Sequence, residues 1–255
     1  MDKTSIFYTC IILIILCTSP AFSDEKKIYT IGWDPWMPYQ YLNANGKLVG
    51  LDIELIQTIF SEMGYALEYK KVPWKRLLPA IKRGKISLAA GASKSVDRMA
   101  YAYFSNAYRT ESVVLFIRKG EKYAIKEISD IIAKNLMIGV ISGFYYGQTF
   151  EKLMDNEDFR KHVQMTSKDT ININKALNKR IYGFLCDKYA GIACINQAGH
   201  FNNFEIHPAA INSSDIHLMF SKKTCQPNVV KLFNETLIKL KKRGVINQII
   251  HKYFQ

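Results

Sequence analysis

Strand-like and helix-like segments alternate along this chain, and their order decides what kind of sheet it can build. Residues 28–33 have strand composition, and residues 52–63 carry apolar side chains at helical spacing before a stop at Gly64. A buried-strand pattern at 86–90 ends in Gly91. Because helices between successive strands bring those strands together in parallel, the pattern predicts an α/β protein with a largely parallel sheet.

The same alternation starts again in the second half of the chain. It predicts helices around 128–133, 149–154 and 170–178 and strands at 136–141 and 181–186. The second half is therefore expected to form an α/β unit of its own.

Two β-forming runs of similar appearance, 113–117 and 216–220, mark the passages between these units. Two apolar-periodic helices, 229–240 and 245–253, follow the second run. Since no Pro- or Ser-rich linker separates the units, the runs suggest that the chain crosses twice between intertwined lobes. The predicted division is lobe I from 24–117 and 218–255, with lobe II from 118–217.

The first residues have the pattern of a secretory signal peptide. Lys3 precedes an apolar stretch, 6–17, which is followed by the small-x-small pattern Ala21-Phe22-Ser23. This stretch is shorter than the roughly 20 apolar residues that a membrane-spanning helix needs. We therefore expect cleavage after Ser23 and a mature protein that is free in the periplasm.

The net charge of +13 suggests a nucleic-acid partner, but the distribution of the charge does not. The lysines are scattered and form no basic stripe interleaved with aromatic residues, and an exported protein seldom meets nucleic acid. We expect a solvated basic surface and no nucleic-acid binding.

The cysteines and histidines give no metal or cofactor motif. Cys186, Cys194 and Cys225 leave two possibilities open, a Cys186–Cys194 disulfide with one unpaired thiol or three free thiols. The histidines show no zinc-like spacing with each other or with the cysteines. No nucleophile elbow, phosphate-binding loop or dinucleotide fingerprint is present. No cofactor, metal or catalytic acid/base pair is predicted.

Short motifs recur in a specific order over nearly the whole mature chain. They are Trp36-Met37-Pro38-Tyr39, Asn45-Gly46-Lys47, Gly50-Leu51-Asp52-Ile53, Trp74, Leu77-Leu78-Pro79, Gly84-Lys85-Ile86, Arg98, Phe104-Ser105, Tyr108, Gly143, Asp187 and Phe233-Asn234. In this combination the chain resembles the family 3 bacterial solute-binding proteins, the polar amino-acid receptors of ABC importers. The resemblance implies a type 2 periplasmic-binding fold, in which two crossing strands join two α/β lobes around a ligand cleft. It also implies a small-molecule ligand, an amino acid or a related compound, and a membrane ABC permease as partner.

Arg98 and Ser93 are expected on the lobe I side of that cleft. Both follow the predicted strand 86–90, and open α/β sheets bind ligands beyond the carboxyl ends of their strands. The resemblance implies that Arg98 binds the α-carboxylate of an amino acid and that Ser93 donates a hydroxyl beside it. The alternative is a surface arginine that caps the following helix.

Asp187 is expected on the lobe II side, directly after the predicted strand 181–186. The resemblance implies that it binds the α-ammonium group, so that Arg98 and Asp187 hold a zwitterion only when the lobes meet. The alternative is that Asp187 caps the helix that starts at Lys188.

Trp36 and Trp74 match positions where the family places aromatic rings on either face of the ligand side chain. Asp34 would supply a counter-charge near this slot, which favours a basic amino acid slightly. For each tryptophan, packing in the core is the alternative. Tyr39, in the same motif as Trp36, and Gly91, in the turn after the predicted strand 86–90, complete the predicted lobe I ligand set.

Phe144 and Tyr145 depart from the family pattern. They follow Gly143 at a place where many members carry Ser or Thr donors for the ligand's carboxylate. Backbone N–H groups at the start of a helix can still receive an anion there. Both residues are included in the predicted ligand-binding set. Either Tyr145 or Tyr146 is expected to reach into the cleft and reshape it, which would admit a ligand larger than a free amino acid.

Two other functions occur on this fold. A periplasmic enzyme similar to cyclohexadienyl dehydratase would need a positioned acid/base pair, and none stands out in this sequence. A sensory ligand-binding module normally carries a membrane anchor or a signalling partner in the same chain. The sequence therefore predicts a periplasmic substrate-binding protein of an ABC importer rather than an enzyme.

Overall fold

The computed structural model describes residues 27–209 and 211–254, so the predicted signal peptide, residues 1–23, lies outside the described residues. The described strands are β1 Ile28–Trp33, β2 Tyr41–Leu42, β3 Leu48–Val49, β4 Ala66–Lys71, β5 Leu88–Ala92, β6 Ala102–Phe104, β7 Arg109–Arg118, β8 Ile138–Ile141, β9 Val163–Thr166, β10 Gly183–Asp187, β11 Phe204–Ile206 and β12 Asn212–Ser221. The described α-helices are α1 Leu51–Glu62, α2 Trp74–Lys82, α3 Val96–Tyr101, α4 Gln148–Leu153, α5 Glu157–Lys161, α6 Asp169–Leu177, α7 Lys188–Gln197, α8 Pro227–Lys242 and α9 Val245–Phe254.

One mixed sheet runs through the molecule in the order β4-β1-β5-β12-β7-β10-β8-β9, with β6 beside β12 and β11 beside β7. In one half, β1 pairs in parallel with β4 and β5; in the other, β8 pairs in parallel with β9 and β10. The predicted parallel pairing is confirmed in both halves. We call the half with β1, β4, β5 and β6 lobe I, and the half with β8, β9, β10 and β11 lobe II.

The long strands β7 and β12 connect the lobes. Residues 109–113 of β7 pair antiparallel with residues 212–216 of β12. Beyond this segment, β7 pairs with β10 and β11 in lobe II, whereas β12 pairs with β5 and β6 in lobe I. These are the two crossing strands that the β-forming runs predict. The division of the chain at 117 and 218 stays a prediction.

Helix α1 fills the lobe I core because its apolar side chains recur every three to four residues. Gly50 precedes it with φ 129°, and a Cβ at this position would lie 2.3 Å from the backbone oxygen of Tyr39. The same oxygen accepts a hydrogen bond from the backbone N–H of Asp52 at 2.9 Å. The start of α1 is thereby joined to the loop after β1, which carries Tyr39. The buried apolar residues of α1 are Leu51, Ile53, Leu55, Ile56, Ile59 and Phe60.

Several predicted elements have other bounds in the structure, among them the strand predicted at 181–186, which is β10 and includes Asp187, and one has another type. The strand predicted at 86–90 is β5, which extends to Ala92 because that residue pairs with His217 of β12. Gly91 therefore lies within the strand and not after it. The helix predicted at 128–133 is a short 3-10 helix, Ile128–Ile131. Its Asp130 carboxylate accepts hydrogen bonds from two preceding backbone N–H groups, which favours a tight turn over a longer helix.

Two further features concern the described residues only. No helix among them is both long enough and apolar enough to cross a membrane. Of the possibilities left open for the cysteines, the structure has three free thiols, with Cys186 and Cys225 buried and Cys194 partly buried.

Candidate ligand-binding cleft

The predicted site residues converge where the carboxyl ends of strands from the two lobes meet. From lobe I, the loop after β1 brings Trp36 and Tyr39, and the segment after β5 brings Arg98. From lobe II, the loop after β8 brings Phe144, and β10 ends in Asp187. Since both lobes present the same edge of their parallel strands, the cleft lies between two sets of loops.

Arg98 is held at the interface between the lobes. It lies in α3, whose first turn is capped by the Ser95 hydroxyl. The buried guanidinium donates from Nη1 to Ser93 O at 2.9 Å and from Nη2 to Gly143 O at 3.1 Å. Burial lowers the pKa of this guanidinium. Arg98 is thus not a surface residue, and its contact with Ser93 uses the backbone oxygen of that residue.

Asp187 reaches lobe I from the opposite side. Its Oδ1 accepts hydrogen bonds from the backbone N–H groups of Tyr189 and Ala190, at 3.1 and 2.9 Å, so it caps α7. The same oxygen accepts from the hydroxyl of Tyr39 at 2.7 Å. Its Oδ2 is buried and has no hydrogen-bond partner among the described residues. The helix-cap alternative is therefore right for Oδ1, while Oδ2 takes no part in the cap.

Aromatic rings line the interface between these two charges. The Phe144 ring lies 6.1 Å from the Trp36 ring and 6.4 Å from the Trp74 ring, edge-on to both. Trp74 Nε1 donates to Gly143 O at 3.1 Å, whereas Trp36 Nε1 is buried without a hydrogen-bond partner among the described residues. The predicted slot between the tryptophans is therefore bordered by a lobe II side chain.

The remaining predicted residues take different positions. Asp34 accepts from the backbone N–H of Trp74 at 2.9 Å and so serves the start of α2; burial raises its pKa. A Cβ at Gly91, where φ is 72°, would lie 3.2 Å from the Trp36 ring, so glycine permits that ring to approach β5. Tyr145 is partly buried, and the charge of Arg98 acts on its hydroxyl.

Sequence reasoning missed a buried ion pair beneath the cleft. Arg109 binds Asp52 through both carboxylate oxygens, Nε to Oδ1 at 2.7 Å and Nη2 to Oδ2 at 3.1 Å. The guanidinium carbon of Arg109 lies 3.8 Å from the centre of the Tyr39 ring. This pair fixes Tyr39, which in turn contacts Asp187. The pattern at the start of β7, where charged Arg109 and Glu111 alternate with Thr110 and Ser112, is the sequence feature that could have indicated it.

Glu111 is a further residue that sequence reasoning missed. It is buried on β7, and burial raises the pKa of its carboxyl to about 7. The positive charges of Arg109 and Arg98 act in the opposite direction, and the negative charges of Asp187 and Asp52 add to the increase. Glu111 is therefore within electrostatic range of both predicted ligand-binding charges.

Among the described residues no group of three or more His, Cys, Asp or Glu side chains is arranged to hold a metal ion.

Comparisons with known proteins found similar sequences and similar structures. A probable histidine-binding protein of Neisseria gonorrhoeae is 22% identical over 235 residues, which cover 91% of this chain and 85% of the relative. The L-cystine-binding protein of Escherichia coli strain K12 is 19% identical over 232 residues, which cover 90% of this chain and 84% of the relative. The structure of an ancestral arginine-binding protein bound to arginine matches with a TM-score of 0.77 and 23% identity, covering 90% of this chain and 99% of that chain.

The fold is accordingly the two-lobed type 2 periplasmic-binding fold, with β7 and β12 as its crossing strands. The model of the bacterial extracellular solute-binding proteins, family 3, matches residues 29–255, nearly all of the described chain. The protein belongs to that family.

Proposed function

We propose that this protein is the substrate-binding protein of an ABC importer and holds one amino acid between its lobes. The observation that carries the proposal is the pair Arg98 and Asp187: each is buried, comes from a different lobe and contacts the opposite lobe. The related proteins named for histidine and cystine binding support the same ligand class. On this proposal the chain is exported by its signal peptide, residues 1–23, works in the periplasm and delivers its ligand to a membrane permease.

In the proposed complex, Arg98 binds the ligand's α-carboxylate and Asp187 binds its α-ammonium group. Each charge-assisted hydrogen bond contributes about 1.5–3 kcal/mol, enough to orient a small ligand. The unused Oδ2 of Asp187 supports this role, because a buried carboxylate oxygen without a donor favours a cationic partner. Since the two charges belong to different lobes, the ligand binds the closed arrangement more tightly than the open one.

The strand pairing supports a small change to the predicted lobe boundaries. The crossing strands pair with each other at 109–113 and 212–216 and pair with separate lobes beyond these residues. We place the two passages between lobes there, a few residues before 117 and 218.

The proposal is of binding without chemical conversion. The similar proteins above are named as binding proteins, and a substrate-binding protein releases its ligand unchanged. Incubation followed by recovery of the intact ligand is the expected result, and a converted product would favour the dehydratase-like alternative.

Thermal denaturation in the presence of each of the twenty amino acids and common polyamines tests the ligand class. A ligand at 100 times its dissociation constant raises the free energy of unfolding by about 2.7 kcal/mol, which shifts the melting temperature measurably. We expect at least one amino acid to produce this shift. If none does, the proposed function is wrong.

Arg98→Ala tests the carboxylate contact. The variant is expected to lose the ligand-induced shift. Its unliganded stability is expected to fall by about 1–3 kcal/mol, because Ser93 O and Gly143 O lose a donor. The matched control is Arg83→Ala, which removes an exposed arginine just after α2 and is expected to keep the shift. A full ligand-induced shift in Arg98→Ala would show that Arg98 does not contact the ligand.

A further inference from the structure

Glu111 is a buried carboxylate that the proposed clamp for a zwitterion does not use. Only 9% of its surface is exposed, and its carboxylate accepts no hydrogen bond from the described residues. An ionised carboxylate in such surroundings is unfavourable unless a cation approaches it. The residue therefore needs either a proton or a positively charged partner.

The strand register places Glu111 next to residues of the candidate cleft. Side chains alternate along a strand, so Arg109, Glu111 and Val113 share one face of β7. Asp187 of β10 lies directly opposite Val113. Diagonal neighbours on paired strands lie about 7–8 Å apart, which brings Glu111 and Asp187 close together. On its other side is Arg109, whose guanidinium packs on Tyr39.

None of the positive charges near Glu111 is available to pair with it in the proposed complex. They come from its own strand and from three neighbouring elements: Arg109 of β7, Asp52 of α1, Asp187 of β10 and Arg98 of α3. Arg109 and Asp52 neutralise each other in a buried ion pair, with side chains 3% and 0% exposed. In the proposed complex, Arg98 and Asp187 are taken by the ligand's carboxylate and ammonium groups. The charge of Glu111 is then the only one of these that stays uncompensated.

We infer that Glu111 pairs with a second cationic group of the ligand, so that the cleft selects amino acids with a net positive charge such as lysine, ornithine or arginine. This inference rests on the proposed function and assigns its ligand class. On this inference the counter-charge is Glu111 on the crossing strand β7 and not Asp34, whose carboxylate accepts a hydrogen bond at the start of α2.

The assignment makes ligand preference depend on pH in a defined direction. A cationic ligand needs the ionised form of Glu111, so protons compete with it as the pH falls through the pKa of this carboxyl, about 7. A neutral ligand is better matched by the protonated form, so its affinity changes in the opposite direction. The side-chain cations of lysine and arginine keep their charge between about pH 5.5 and pH 8.

Isothermal titration calorimetry with matched ligand pairs tests the inference. The pairs are lysine with norleucine, ornithine with norvaline, and arginine with citrulline, where the second member lacks the side-chain charge. For at least one pair at about pH 8, we expect the wild-type protein to bind the cationic member at least about tenfold more tightly, and this preference to fall by about tenfold or more at about pH 5.5.

Glu111→Gln is the test variant, because glutamine keeps the shape and removes the charge. It is expected to lose both the preference and its pH dependence. Since the substitution removes an uncompensated buried charge, the unliganded variant is expected to melt at or above the wild-type temperature at about pH 8. Glu235→Gln, which changes a side chain 60% exposed on α8, is the matched control and is expected to behave as wild type.

The possible results separate the inference from the proposed function. If the wild-type protein binds neutral amino acids and prefers no cationic partner at about pH 8, the inference is wrong and the proposed function stands. The same follows if Glu111→Gln keeps the preference. If no amino acid binds at all, the proposed function fails as well. Should Glu111→Gln not fold, the pH dependence of the wild-type preference is sufficient to support or overturn the inference.

Discussion

Asp187 uses its two carboxylate oxygens for different partners. Oδ1 caps α7 and accepts from Tyr39, while Oδ2 has no partner among the described residues. A helix cap and a ligand contact are often treated as competing explanations of one aspartate. Here a single side chain has the geometry for both, because the carboxylate accepts in more than one direction.

The two roles of Asp187 can be separated by Asp187→Asn. The amide oxygen can still accept from Tyr39, Tyr189 and Ala190, so the free energy of unfolding is expected to fall by less than about 1 kcal/mol. The affinity for an amino acid is expected to fall at least about tenfold, because the charge proposed to pair with the α-ammonium group is gone. Calorimetric titration and thermal denaturation measure these quantities.

Asp215→Asn is the matched control for this prediction, since Asp215 is exposed on β12 and the change in charge is the same. Unchanged affinity in Asp187→Asn would exclude an ionic contact between Asp187 and the ligand.

At the level of the elements, β7 combines a structural role with a place in the cleft. Its first residues pair with β12 and form the passage between lobes, and its later residues pair with β10. Arg109 ties the passage to α1 through Asp52. The ion pair joins positions far apart in the sequence, so both partners are fixed only once lobe I has folded around the strand.

Asp52→Asn is expected to destabilise the protein by about 3–5 kcal/mol, because it leaves the buried guanidinium of Arg109 without its counter-charge. Glu62→Gln is the matched control. Glu62 pairs with Lys239 and Arg243 on the surface, and its loss is expected to change stability by less than about 1 kcal/mol. Urea denaturation measures both values. Similar losses of stability in the two variants would mean that the buried Arg109–Asp52 pair contributes no more than the exposed pairs of Glu62.

At the level of the whole molecule, contacts between the lobes lie beside the charges proposed to bind the ligand. Phe144 of lobe II meets Trp36 and Trp74 of lobe I, and Gly143 O accepts from Trp74 and Arg98. These contacts exist only when the lobes are together. They therefore contribute to the free energy of closure, and through it to ligand affinity.

Phe144→Ala is expected to weaken ligand binding by about 1–3 kcal/mol, because each edge-on aromatic contact contributes about 0.5–1.5 kcal/mol. Calorimetric titration measures the affinity, and small-angle X-ray scattering measures how far the ligand compacts the molecule. Phe201→Ala, which removes a phenylalanine 64% exposed in lobe II, is the control. An affinity equal to wild type would show that Phe144 does not stabilise the closed arrangement.

How much of the fold could be predicted from the sequence depends on how far apart along the chain the interacting residues lie. Helices α1 and α8 were predictable, because their buried side chains are large and recur at helical spacing. Helix α7 gave no such pattern, since two of its buried positions are Ala190 and Gly191. The alternation of strands and helices was enough for the fold class, which depends on the order of elements and not on their exact ends.

The candidate site was predictable only in part. Arg98 and Asp187 follow or end buried strands, so their position at the cleft follows from local sequence. The Arg109–Asp52 pair and the surroundings of Glu111 depend on strand register and on packing between distant segments. No local pattern shows which charged side chain of a strand will meet which partner, and the counter-charge inferred from the structure, Glu111, differs from Asp34, the one predicted from the sequence.

The carbonyl of Gly143 has a consequence for how such a protein can diversify. Both Trp74 and Arg98 donate to a backbone oxygen, and every amino acid supplies that oxygen. Mutation at position 143 can displace this acceptor through the main chain, which has φ 84° there, but cannot delete it. The neighbouring side chains, Phe144 among them, can change in size and polarity without removing this acceptor. Proteins that diverge from this chain can therefore change their ligand while keeping these two hydrogen bonds between the lobes.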